Sequence, residues 1–172
     1  MSLLQVVKAD PKFKKYRNIL KTTRSRLSIE EGIDEIFALH SGRLARRLYG
    51  KSQFSPKSIL EATAQDLSAR SRIAEIRQKT SVQASLLQGA INELHKYVRN
   101  NYRSEMRNLS NEASRRAALD AITSSGIELI TETETLISTA DMVIKDIDQS
   151  SHSIRHMISV LDLLSETKGR VA

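Results

Sequence analysis

The sequence predicts an all-α protein: an elongated bundle of long, heptad-patterned, coiled-coil-like helices with a basic N-terminal helical arm. Three observations carry this prediction. Apolar residues recur at steps of three and four over two long stretches, 73–109 and 127–166. The chain holds only two prolines, six glycines, three Phe, four Tyr and no Trp, too few turn formers and aromatics for a sheet protein. Helix-start signals stand at Asp10-Pro11, Ser28–Glu31 and Ser55-Pro56.

The first element follows Asp10-Pro11, a capping aspartate before a proline at the first helical position. Phe13, Tyr16, Leu20 and Leu27 recur there at helical spacing among lysines and arginines. Ser28-Ile29-Glu30-Glu31 then forms a capping box and opens a helix that places Ile33, Ile36, Phe37 and His40 on one side. That helix continues or restarts through Leu44 and Leu48, with a bend expected at Gly42 and a stop near Gly50 and Ser52. Ser55-Pro56 starts the longest element, whose inner line runs Ile73, Ile76, Thr80, Ala84, Leu87, Ile91, Leu94, Val98, Tyr102, Met106 and Leu109.

A break is expected around Asn108–Asn111, followed by a short helix over 112–124 terminated by Ser124-Ser125-Gly126. The last helix, 127–166, places Ile130, Ile137, Ile144, Ser151, Ile158 and Ser165 at heptad a. Thr133, Ala140, Ile147, Ile154 and Leu161 fall at d, and Leu129, Leu136, Val143, Ser150, Met157 and Leu164 at g. Three apolar columns make a stripe too wide for a two-stranded coil, so several neighbouring helices must cover it. The sequence thus divides into a basic arm (1–27), a short helical hairpin (28–52) and a long-helix region (53–172).

Charge is the second informative feature. The first 26 residues hold eight lysines and arginines against one acid, Asp10, and their excess equals the formal net charge of the whole chain, +7. Such a run contacts phosphates, an acidic partner surface, or the acidic tail of a neighbouring copy. Lys12, Lys14, Lys15, Arg17, Lys21, Arg24 and Arg26 are the candidate contacts, with Arg43, Arg46 and Arg47 as a second patch. Phe13 and Tyr16 would stack on the bases of a single strand. Arg70 and Arg72 are expected to pair with Asp66 and Glu75.

Catalytic chemistry finds little footing. There is no cysteine, no GxGxxG and no GxxxxGK[ST] loop. His152 and His156 stand four apart, one turn beyond Asp148, but the heptad frame turns both outward and Ser153 replaces the glutamate of HExxH. His40 and His95 are isolated. No catalytic residue, metal or cofactor is therefore expected. No apolar run approaches the roughly 18 residues of a spanning helix. A membrane partner is not expected, and the location predicted is cytoplasmic or inside an assembled particle.

The function expected is that of a non-enzymatic, self-associating helical protein, a structural or adaptor subunit of a larger assembly. Its partner would be another copy or a helical protein, met along a seam of Ile130, Ile137, Ile144, Ile147, Ile154, Ile158 and Leu161. The alternative is a nucleic-acid-binding accessory factor that oligomerises on DNA through the basic N-terminal arm.

Overall fold

The computed structural model describes residues 3–49 and 56–169, and side chains within those spans except at 44–49, 56, 58, 157 and 160–169. Six α-helices follow in order: α1 (Leu3–Ala9), α2 (Pro11–Arg26), α3 (Ile29–Tyr49), α4 (Pro56–Asn101), α5 (Arg103–Arg107) and α6 (Glu112–Gly169). No strand occurs among the described residues. The chain divides into two compact units, Met1–Glu30 with Gln78–Ile137, and Glu31–Arg77 with Ser138–Ala172. These groupings cut across the three segments read from the sequence, because α4 and α6 each contribute to both.

The first unit is built on α1, α2, α5, the later part of α4 and the earlier part of α6. Val7, Phe13, Tyr16, Leu87, Ala90, Ile91, Leu94, Val98, Met106, Leu119, Ile122 and Leu129 form one contiguous core. Asp10 caps α2 as its sequence requires: Pro11 takes the first helical position and the carboxylate accepts from the Lys12 amide at 2.7 Å. The segment is thus no free arm. Phe13, Tyr16 and Thr23 bury one stripe of α2 in this core, which leaves neither ring open for stacking on a base.

The interruption expected around Asn108–Asn111 is present, as a turn capped by Asn111, whose Oδ1 accepts from the Ser114 amide at 2.7 Å. A further break at Tyr102, which the inner line read from the sequence runs through, sets off the single turn of α5. The terminator expected at Gly126 is absent. α6 runs straight through Ser124-Ser125-Gly126, and the glycine serves packing instead. A Cβ there would run into the Tyr16 hydroxyl and sit 3.2 Å from Tyr16 Cζ and 3.1 Å from Ile91 Cδ1. Gly126 is the notch into which Tyr16 fits, with its hydroxyl donating to the Thr123 carbonyl at 3.3 Å.

The second unit packs α3 with the earlier part of α4 and the later part of α6. Ile36, Ala69, Ile73, Ala140, Val143 and Ile147 are its buried apolar residues. α3 passes Gly42 without a break, so no hairpin forms within 29–49; a Cβ at Gly42 would meet nothing within 4 Å. α4 and α6 run antiparallel here. Arg70 pairs with Asp148 at 2.7 Å and Arg77 with Asp141, so seven residues forward on one helix match seven back on the other.

Candidate polyanion-binding face

The buried stripe of α2 dictates where its charges go. With Phe13, Tyr16 and Thr23 inward, 100° steps throw the bases onto the two flanks and the solvent side. Lys12, Lys14, Lys15, Arg17, Lys21, Arg24 and Arg26 are all exposed, and α2 contains no acid. Among the described residues none of their seven charged groups forms an ion pair with a carboxylate within 4 Å. Lys14, Arg17, Lys21 and Arg24 follow one another at steps of three and four along one flank. With Asn18 and Leu20 they line an open groove of 590 Å³. That ridge covers about 15 Å of helix at ~1.5 Å per residue. A backbone with one charge per ~3.4 Å would present about four phosphates over that length.

The other flank is held more tightly. Lys12 lies with its ammonium 5.9 Å from the Tyr97 ring centre, a cation–π contact, and near the Asp10 carboxylate. Asp10 ties the start of α2 to the end of α4: besides the Lys12 amide it accepts from Tyr102 Oη at 2.6 Å and Tyr97 Oη at 3.0 Å. Burial pushes this carboxyl up, but the Tyr102, Lys12 and Tyr97 hydrogen bonds and the Lys12 charge overcome it, so the net shift is downward. The same contact drives the Tyr102 phenol up to about 12, chiefly because its proton is shared with Asp10. The basic helix is thereby presented at a fixed start point.

Arg43 does not belong to any contact surface. Its side chain is 1% exposed, Nε meets Asp66 Oδ1 at 2.7 Å, Nη2 meets Asp66 Oδ2 at 3.3 Å, and Nη1 reaches Asp146 at 3.4 Å. Asp146 also meets His40 Nε2 at 3.1 Å. Burial raises the Asp146 carboxyl, yet the His40 and Arg43 contacts bring it below its ordinary value. This is a structural network of the second unit, since a buried guanidinium needs acceptors for its N–H groups and a counter-charge, and Asp66 and Asp146 supply both. The Arg46 and Arg47 side chains lie outside the described residues.

The proposed seam residues divide as well. Ile147 is fully buried within the chain, and Ile130, Ile137, Ile144 and Ile154 are half-buried. Ile158 is exposed, and the Leu161 side chain lies outside the described residues. The fully buried columns of α6 are Leu129, Leu136 and Val143 with Thr133, Ala140 and Ile147, the g and d columns of the sequence frame. Much of the stripe expected to bind another copy is therefore covered by the chain's own helices. Thr133, polar at its d position, is buried with its hydroxyl donating to the Ile130 carbonyl at 2.7 Å.

Of the histidines, His152 and His156 are exposed. His95 is half-buried, with Nε2 2.9 Å from Thr123 Oγ1. The Thr123 hydroxyl already donates to the Leu119 carbonyl, so His95 is the donor of the pair. Burial lowers its pKa. Among the described residues no three His, Asp or Glu side chains gather as a metal site, and no helix is long and apolar enough to cross a membrane.

Arg70 takes Asp148 rather than Asp66, while Arg72 bridges Glu35 at 2.7 Å and Glu75 at 2.9 Å. Comparison with protein-family models, curated proteins and solved structures yields no match to this chain.

Proposed function

We propose that this chain is a non-enzymatic helical accessory protein that docks a polyanion, in the first instance the backbone of a nucleic acid, on the exposed face of α2. One observation carries the proposal: seven bases stand exposed on a helix without an acid, and apart from Lys12, whose charge lies near Asp10, none has a carboxylate partner among the described residues. Concentrating like charge on one rigid helix opposes folding unless a counter-charge is bound. The Arg70, Arg72 and Arg77 pairs show by contrast how this chain treats arginines that serve its own fold. Binding would rest on counterion release and would read backbone charge rather than sequence, since no base-stacking ring is open on α2.

The test is fluorescence anisotropy with a labelled single-stranded oligonucleotide. Replacing Lys14, Arg17, Lys21 and Arg24 together by alanine should weaken binding at least about a hundredfold at low salt, because four phosphate contacts disappear. Unchanged affinity would overturn the proposal.

A structural or adaptor subunit that self-associates is the second reading. Leu60 and Leu67, 71% and 60% exposed, stand seven residues apart on one face of α4 and favour it. Light scattering coupled to size exclusion tests it: a discrete oligomer that a Leu60→Glu, Leu67→Glu variant dissolves supports it, and a monomer at all concentrations excludes it.

A further inference from the structure

The break between α4 and α6 gathers four arginines at one end of the first unit. Arg99 lies in the last turn of α4, Arg103 and Arg107 stand one turn apart on α5, and Arg115 lies in the first turns of α6. With Met106 and Glu112 they line a cleft of 210 Å³. Glu112 is its one acid, against four guanidinium groups. Its carboxylate touches Arg99 at 3.5 Å and Arg115 at 3.6 Å, both longer than a good charge-assisted hydrogen bond. Glu112 is itself exposed and free to swing away. Arg115 is not free to do so: Nε donates to the Met106 carbonyl at 3.1 Å, which aims the rest of its fork at the cleft. Arg103 and Arg107 are exposed, and neither has an acidic partner among the described residues.

We propose that this cleft is a phosphate-binding site, in which the incoming oxoanion displaces the Glu112 carboxylate from Arg99 and Arg115 and draws in Arg103 and Arg107. The carboxylate already marks where an oxoanion sits between two guanidinium groups. Guanidinium forks match phosphate oxygens in pairs, which explains why arginine and not lysine lines the cleft. A cleft of this size holds roughly seven water volumes at ~30 Å³ each, enough for one phosphate group and its residual solvent. The Met106 side chain supplies an apolar wall. The proposal is independent of the α2 face and stands if that face binds nothing.

The experiment is calorimetric titration of the full chain with pyrophosphate at 150 mM NaCl. Wild type should bind at one site per chain. An Arg103→Ala, Arg107→Ala variant should lose about tenfold or more in affinity, the equivalent of one charge-assisted contact or better. Glu112→Gln should gain about fivefold, because the resident competitor loses its charge. A purely structural arginine cluster would not tighten on that change. The Lys14, Arg17, Lys21, Arg24 quadruple alanine variant should bind pyrophosphate as wild type does, which separates this site from the α2 face. Far-ultraviolet circular dichroism checks that each variant is folded. Displacement of pyrophosphate by a single-stranded oligonucleotide assigns the phosphate to a nucleic-acid backbone; absence of displacement assigns it to a small phosphate compound. Equal affinities for wild type, the double alanine variant and Glu112→Gln would overturn the proposal, as would the absence of any binding.

Discussion

Replacing Gly126 by alanine isolates the contact that locks α2 onto α6. In an exposed helix interior this change stabilises by about 0.8–1.0 kcal/mol, because alanine is the better helix former. Gly89 supplies that reference: it is exposed on α4, and a Cβ there meets nothing within 4 Å. At Gly126 the new methyl would strike the Tyr16 hydroxyl and press on Tyr16 Cζ at 3.2 Å and Ile91 Cδ1 at 3.1 Å. Tyr16 is 4% exposed and packed in the first unit's core, so its ring cannot swing aside without opening that core.

Overpacking of this kind costs about 1–3 kcal/mol, and losing the Tyr16–Thr123 hydrogen bond adds about 1 kcal/mol. Setting the helix gain against these leaves a net loss of about 1–3 kcal/mol. Urea denaturation should therefore move the two alanine variants in opposite directions, Gly89→Ala up and Gly126→Ala down. Tyr16→Phe removes the atom in the worst contact, so the Tyr16→Phe, Gly126→Ala pair should lose less than the sum of its single changes. A Gly126→Ala variant as stable as Gly89→Ala would show that Tyr16 does not sit in this notch.

Other outcomes follow from the polar contacts. Arg43→Ala should cost about 3–5 kcal/mol by removing one partner of a buried ion pair, whereas Arg72→Ala, in an exposed pair, should cost at most about 1 kcal/mol; parallel urea melts compare them. Asp10→Asn should release the two phenols it holds. The raised Tyr102 pKa, about 12, means that this contact stabilises the fold fully below the unfolded value near 10 and loses its effect as pH rises toward 12. In the variant, tyrosinate absorbance near 295 nm should develop at lower pH, and superimposable titrations would contradict the contact. The depressed Asp10 pKa works at the acid end. Its contribution is present above the ordinary value of 3.8 and fades as pH falls below it, so the Asn variant should show a weaker loss of stability on acidification through that range.

The helical class and the inner line of α4 were legible because burial imposes a period that survives in the residues: Ile73, Thr80, Leu87, Ile91, Leu94 and Val98 are all buried. The column assignment in α6 was harder. Its stripe is three columns wide, and periodicity cannot say which two face inward; neighbouring helices chose Leu129, Leu136 and Val143 over Ile130, Ile137 and Ile144. Ser124-Ser125-Gly126 carries a terminator's composition, yet the glycine answers to Tyr16, more than a hundred residues earlier in the chain. Arg43 read as surface because Arg46 and Arg47 flank it, although its place seven residues after Ile36 puts it on the buried side of α3. Asp66 gave the matching signal, three residues before Ala69 and seven before Ile73. α1 left no mark beyond a short apolar run. The arginine cleft was legible only in part: Arg99, Arg103 and Arg107 recur at steps of four, but it takes the turn before α6 to add Glu112 and Arg115.

The exposed bases of α2 were legible as charge, and the structure adds their arrangement on a packed helix. Polyanion docking on that helix is tested most directly by how oligonucleotide affinity changes with salt. The logarithm of affinity should fall linearly with the logarithm of salt concentration, at a slope of about −0.7 per phosphate neutralised on a single strand. Alanine at Lys14, Arg17, Lys21 and Arg24 should make that slope shallower by about 3. Identical slopes for wild type and variant would contradict it.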